Sequence, residues 1–188
     1  MECAGRQAIV TVDRIAHPLF CPMCELTRLR TGVVVVAMSL EYRHALPADI
    51  AACIDLRSKT RENSVSAERL RQLGVTHSTC SAGVADGTLP GYVCLDDDRI
   101  VGYCFGDSRT GEIVVLALLP EWEGKGIGKK LLELVVTDLG ALGFRRLFLG
   151  CSSDPKVRSY GFYRYLGWKS TGTFDANNDE VLEYWLQE

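Results

Sequence analysis

No apolar run in this chain of 188 residues is long enough to cross a membrane. The longest, Val33 to Met38 and Ile113 to Pro120, fall far short of the roughly 18 residues a spanning helix needs, so no membrane partner is expected. An excess of positive charge is lacking too: 21 Lys and Arg stand against 24 Asp and Glu, a formal net charge of −3. No stretch gathers the cations into a block, which argues against nucleic-acid binding as the main activity. The leading segment is not basic and its apolar run is short, a poor match to a secretory signal. Histidine is scarce, and His17, His44 and His77 fall in an N-terminal stretch, at a helix entrance and in a loop, where structural roles are expected.

What is present is 47% apolar and 24% charged residues, enough for one buried core and a well-solvated surface. One domain is the expectation. Of the eight cysteines, Cys94, Cys104 and Cys151 lie in apolar stretches that read as strands, and Cys53 on the apolar face of a helix. That placement suits reduced core thiols of a cytoplasmic protein, not a disulfide scaffold.

The chain divides near Met38. Residues 1–37 read as an N-terminal extension: an added strand, a loosely ordered stretch, or a start assigned too early with Met38 the true one. Cys21-x-x-Cys24 with His17 offers three metal ligands, but three do not close a structural zinc site and no second pair follows. No helix pattern opens at the CxxC, as a redox motif would want, and no metal is expected. From 38 to 188 the punctuation is regular. Ser39 to Arg43 alternates like a strand, and Pro47-Ala48-Asp49 opens a helix with Ile50, Cys53, Ile54 and the Arg57 stem at helical spacing. Ser66 to Gly74 reads as a second helix with a Ser cap and a Gly stop, and Thr76 to Leu89, small and polar, as a loop. Gly91 to Leu95, Asp96-Asp97-Asp98 and Arg99 to Asp107 form a hairpin, and Gly111 to Leu118 extends it to a meander.

After that strand comes Glu123-Gly124-Lys125-Gly126-Ile127-Gly128-Lys129-Lys130, then a long amphipathic helix ending at Gly143. Ile127, Leu131, Leu134, Val135, Leu139 and Leu142 make its apolar stripe. A glycine-rich turn feeding a helix N-terminus is a phosphate cradle, because free N–H groups and the helix dipole favour an anion. Spacing excludes a Walker A loop: Gly124 and Gly128 are one residue too close, and Lys130 stands where a hydroxyl is needed. A dinucleotide fingerprint fails at Lys129 and on the preceding meander. A tight turn without ligand leaves three alternating glycines unexplained.

The loop resembles motif A of the GNAT superfamily of acyl-CoA-dependent N-acyltransferases, (R/Q)-x-x-G-x-(G/A). Ser159 to Trp168, with Phe162-Tyr163 and Gly167-Trp168, resembles that family's F-Y-x-x-x-G-(F/W) signature, and Arg145 to Cys151 between them reads as a strand. The resemblance spans about Ser39 to Glu188. It implies an α/β GNAT fold, a mixed and mostly antiparallel sheet of six to seven strands with helices on both faces. The implied activity is transfer of an acetyl group from acetyl-CoA, as co-substrate, to a primary amine by direct attack on the thioester.

By resemblance, the coenzyme is held by Leu116, Ala117, Leu118, Leu119, Glu123, Gly124, Lys125, Gly126, Ile127, Gly128, Lys129 and Tyr163. The Leu118 N–H would polarise the thioester carbonyl, Tyr163 would protonate the departing thiolate, and Glu112 would take the amine proton, with Asp107 and Asp154 as alternatives. Glu123 departs from the pattern, since Arg or Gln is usual there. A carboxylate beside a diphosphate is unfavourable, so main-chain N–H groups should carry the binding, with Lys125 and Lys129 offsetting part of the charge. For the acceptor, Arg57, Arg61, Glu62, Asn63, Asp175, Asp179, Glu180 and Glu183 are the candidates. Arg57 and Arg61 would clamp a carboxylate, whereas the acidic group would hold a cationic amine. A small amine is the leading acceptor, with a protein lysine or N-terminus, an aminoglycoside, or a non-catalytic acyl-CoA-binding module as alternatives. Exposed strand edges suit a homodimer.

Overall fold

The computed structural model describes residues 40–62 and 64–187. His17, Cys21, Cys24, Asn63 and the boundary between 1–37 and 38–188 lie outside the described residues. The elements are β1 (Leu40–His44), α1 (Ile50–Arg57), α2 (Ala67–Gln72), α3 (His77–Asp86), β2 (Gly91–Asp96), β3 (Arg99–Gly106), β4 (Ile113–Leu118), α4 (Ile127–Ala141), β5 (Arg146–Cys151), α5 (Arg158–Tyr165), β6 (Lys169–Phe174) and β7 (Glu180–Trp185). The meander expected from the sequence is β2, β3 and β4, with β1 added antiparallel at its edge. A second sheet runs in the order β5-β7-β6, also antiparallel.

The two sheets meet at one place. Glu112 forms a parallel bridge to Phe148, and the Phe148 N–H donates to the Gly111 carbonyl at 3.2 Å. Glycine is required at 111, because its φ is +77° and a Cβ there would lie 2.7 Å from the Phe144 ring. Beyond this junction no further ladder joins β4 to β5 among the described residues, so the edge of β4 from Ile113 onward is left open.

Helices cover both faces of the first sheet, and strand alternation shows why. Gly102 and Gly106 of β3 face α4, where added Cβ atoms would lie 3.3 Å from Leu131 and 2.9 Å from Leu139. Tyr103, between them in the alternation, lies on the opposite side beside Cys53 of α1 and Cys80 of α3, and burial there pushes its phenol well above the usual range. On α4 the predicted positions Ile127, Leu131, Val135 and Leu139 are buried, as is Leu132. Leu142 is not: it caps the helix one residue past its end and is 59% exposed.

The segment expected as a loop from Thr76 to Leu89 contains α3. Thr76 Oγ1 accepts from the Thr79 N–H at 3.1 Å and Thr79 Oγ1 accepts from the Thr76 N–H at 3.0 Å, a reciprocal N-terminal cap. Gly87, with φ +79°, ends it. Ser, Thr and Gly weaken helix propensity, and no residue of α3 is fully buried. Its hold on the fold comes from Cys80 and Val84, which pack against the core.

Cys53, Cys80, Cys94, Cys104 and Cys151 are all free thiols. Burial pushes Cys53 up to about 12, which keeps it an unreactive thiol at neutral pH. No helix among the described residues is long and apolar enough to cross a membrane.

Candidate functional site

The glycine loop leaves the 3-10 turn at Pro120–Trp122 and enters α4 through residues that only glycine adopts easily. Gly124 and Gly126 have φ of +74° and +82°, and Gly126 is the N-cap of α4. The first backbone closure is the Lys130 N–H on the Gly126 carbonyl at 3.1 Å. The N–H groups of Gly124 to Lys129 take no acceptor among the described residues. Unpaired donors at the positive end of a 15-residue helix are an arrangement that can hold an anion. The two lysines of the loop are partly engaged: Lys125 Nζ sits 4.1 Å above the Trp122 ring, and Lys129 is 3.7 Å from Glu133.

The open edge of β4 adds a second set of donors. The Leu119 N–H bonds the Val101 carbonyl at 2.9 Å, and β4 is in register with β3 through Leu118↔Gly102 and Leu116↔Cys104. Alternation in an antiparallel ladder then turns the Leu119 and Ala117 N–H groups toward β3 and those of Leu118 and Leu116 away from it. Leu116, Ala117 and Leu118 line a cleft of about 1420 Å³ together with Gly124, Gly126, Gly128 and Lys129. Leu119, Lys125 and Ile127, expected at the coenzyme site, are not among the residues that line the cleft; Leu119 and Ile127 are buried in the core.

Across the cleft stand the candidate proton-transfer groups. Tyr163 of α5 is buried against Phe162 and Trp168, yet it lines the cleft and its hydroxyl has no hydrogen-bond partner among the described residues. Burial pushes its phenol far above the usual range, so it is protonated at neutral pH. Glu112 stands at the sheet junction, one residue before β4, and also lines the cleft. Burial first, then the Asp107 and Asp175 charges, raise its carboxyl above the ordinary value, the direction a general base needs. Asp107 is held the other way by Arg109, 2.7 Å distant. Asp154 is outside the lining and accepts from the Lys156 N–H. Neither histidine within the described residues reaches the cleft: His44 Nε2 lies 3.0 Å from the Tyr92 hydroxyl, and His77 opens α3 on the surface.

The acceptor candidates separate into two groups. Asp175 and Asp179, in the turn between β6 and β7, line the cleft beside Gly150, as do Arg57, Arg61 and Glu62. Glu180 and Glu183 do not; they pair with Arg164 at 2.5 Å and Arg146 at 2.7 Å. Arg57 ends α1 and Arg61 lies beyond it, so no helical turn sets the two side by side as a carboxylate clamp. Arg61 instead reaches Glu123, its Nε donating to Oε2 at 3.0 Å, and Arg158 donates to the same oxygen. Arg158 was invisible to sequence reasoning, because nothing in a chain marks a partner 35 positions away.

A match to the family described as Acetyltransferase (GNAT) family covers residues 51–168. N-acetyltransferases of Mycobacterium bovis and Mycobacterium tuberculosis are each 36% identical over 80 residues, 41% of this chain and 51% of theirs. The chain thus matches about half the length of these curated relatives. Among solved structures, the PaiA N-acetyltransferase from Thermoplasma acidophilum in complex with coenzyme A superposes with a TM-score of 0.67 at 20% identity, covering 79% of this chain and 100% of that one. YncA from Salmonella typhimurium with its cofactor acetyl-CoA gives 0.63 at 17% identity, covering 80% and 95%. At these identities the likeness is one of fold, and the fold is the α/β arrangement implied by the sequence motifs.

Proposed function

Since the chain belongs to the acetyltransferase (GNAT) family, we propose that it transfers an acetyl group from acetyl-CoA to a primary amine of a small cationic molecule. The observation that carries this reading is one cleft shared by the unpaired N–H groups of the glycine loop, the open edge of β4, Tyr163 and Glu112. At about 1420 Å³ the cleft exceeds the roughly 300–1,000 Å³ of a drug-sized pocket. It has room for a coenzyme arm and an acceptor together. Superposition on folds solved with coenzyme A and acetyl-CoA supports the same ligand.

When bound, acetyl-CoA supplies an activated thioester; the chain does the rest. Gly124 to Lys129 hold the diphosphate with backbone N–H groups. The β4 edge aligns the pantetheine arm, and the Leu118 and Leu116 N–H groups are the donors aimed where the carbonyl develops negative charge. The acceptor must lose a proton to attack. At about 3.3 Å per residue, Glu112 lies about 13 Å along the strand from Leu116 and about 20 Å from Leu118, so the proton travels to Glu112 through water. Tyr163 keeps its proton at neutral pH and donates to the departing sulfur. Asp175, whose charge acts on both Glu112 and Asp179, together with Asp179 favours a positively charged acceptor.

The first test is calorimetric titration with acetyl-CoA, with NAD as the comparison ligand, followed by an amine panel read by thiol release. Micromolar acetyl-CoA binding and turnover with small diamines support the reading. Binding without turnover on any amine marks an acyl-CoA-binding module, turnover only on peptides marks a protein acceptor, and preference for NAD overturns the ligand assignment.

A further inference from the structure

Glu123 occupies the position where a cationic or amide side chain is usual, and two guanidiniums converge on it. Arg61, from the connection after α1, donates to Oε2 at 3.0 Å; Arg158, the first residue of α5, donates to the same oxygen. A third contact ties the group together: the Arg158 backbone N–H donates to Glu62 at 2.9 Å. Glu123 is largely enclosed, its side chain 19% exposed, while those of Arg61 and Arg158 are 55% and 54% exposed. All four residues line the cleft, with Gly124 and Gly126 next to Glu123 in the chain.

Two guanidiniums and the two carboxylates of Glu123 and Glu62 balance in charge, but only Glu123 is paired with the guanidiniums; Glu62 accepts from the Arg158 backbone N–H. Each guanidinium carries five N–H donors and gives one to Glu123, so most of each fork is left for a second anion. Two arginines drawn from distant parts of the chain are brought to the mouth of the anion site by a carboxylate that, alone, would repel the ligand. Resting on the coenzyme reading above, we infer that Glu123 is a positioning residue that holds Arg61 and Arg158 as ligands for the phosphoester groups of the coenzyme. This reverses the sign that simple charge counting assigns to Glu123.

The test is a calorimetric cycle with coenzyme A on the wild type, Glu123→Gln, the pair Arg61→Gln/Arg158→Gln, and the triple variant, at low and moderate salt. In the wild-type background Glu123→Gln removes a negative charge yet weakens binding, by about tenfold if one charge-assisted phosphate contact is lost. In the background lacking both arginines the same substitution leaves binding unchanged or tightens it. The arginine pair also flattens the salt dependence of binding, since two cations no longer meet the phosphates. Repeating the cycle with dephospho-coenzyme A separates the sources: a loss that persists assigns the contact to the diphosphate, and a loss that disappears assigns it to the 3′-phosphate.

Equal or tighter binding by Glu123→Gln in the wild-type background overturns the inference. So does an equal loss in both backgrounds, which is what a purely structural role would give. Circular dichroism melts accompany each variant, and Arg158→Gln alone provides the same comparison should the double substitution unfold. A wild type that binds no coenzyme A overturns the underlying ligand assignment instead, a result distinct from failure of the cycle.

Discussion

The wall of the cleft made by β4 and the glycine loop presents main chain: the N–H groups of Leu116 and Leu118 and those from Gly124 to Lys129. The facing side presents side chains, Tyr163 from α5, Asp175 and Asp179 from the β6–β7 turn and Arg61 from the connection after α1, with Glu112 at the junction. A wall of backbone donors depends on φ and ψ and tolerates many side chains. A wall of side chains from several elements depends on each identity and on the packing that brings them together. The first suits a ligand of fixed chemistry, the second one that varies between related proteins.

The largest expected break in this comparison is at Gly126. Any side chain there meets a left-handed backbone costing about 1–2 kcal/mol, and Gly126→Glu also places a carboxylate among the anion's donors. Loss of two charge-assisted bonds corresponds to about 3 kcal/mol or more, so coenzyme affinity should fall by about 100-fold or more in calorimetry. The foil is Gly128→Ala, whose added methyl would lie 3.4 Å from Leu118, an ordinary contact; its affinity should stay within about twofold.

On the opposite wall, Tyr163→Phe should lower kcat by about 100-fold with coenzyme affinity unchanged. Because the hydroxyl has no protein partner among the described residues, its loss should leave the melting temperature nearly untouched. A fall in both kcat and affinity would make Tyr163 part of the coenzyme wall instead.

Glu112→Gln should lower kcat/KM at pH 7 by about tenfold or more and remove the acidic limb of the pH profile. That limb should lie above the ordinary carboxylate range, because Glu112 must lose its proton to act and burial raises its carboxyl. Stability has the opposite sense. A carboxyl raised in the folded state stabilises below its unfolded value and loses that contribution as pH rises through the folded one. Gln should therefore raise the melting temperature at pH 7, with the gain shrinking as pH falls through the raised folded value and gone below the unfolded value of about pH 4.3. A Glu112→Gln protein that melts lower at pH 7 would mean the carboxylate is structurally paired. The smallest effect is expected from Asp179→Asn, a rise of about threefold in KM for a cationic amine with coenzyme affinity unchanged.

Legibility followed the same division. The meander, the glycine loop and α4 announce themselves through alternation, punctuation and a helical stripe, all carried by neighbours in the chain. Leu116, Leu118 and the loop glycines Gly124, Gly126 and Gly128 lie along one cleft. α3 was missed because its cap is a Thr–Thr pair and its composition is weakly helical. Arg61 was read as a partner of Arg57, and Glu180 and Glu183 as cleft residues, because spacing says nothing about where a connection folds back. Glu123 is the sharpest case. Its departure from the motif was evident, while the two arginines that answer it were not.

The β2–β4 meander, the glycine-rich turn before α4 and the apolar stripe of α4 were determined by sequence alone, because each arises from a pattern set within a few residues. Which side chains face that backbone across the cleft was decided only by tertiary structure. The Glu112–Phe148 bridge, the one ladder contact between the two sheets among the described residues, leaves β4 open. Packing of α5 and the α1–α2 connection then brings together Glu123, Arg61 and Arg158, whose contacts span 62 and 35 positions of chain. Such contacts carry no local signal, since they are fixed by burial of surfaces that meet only once the whole core has formed.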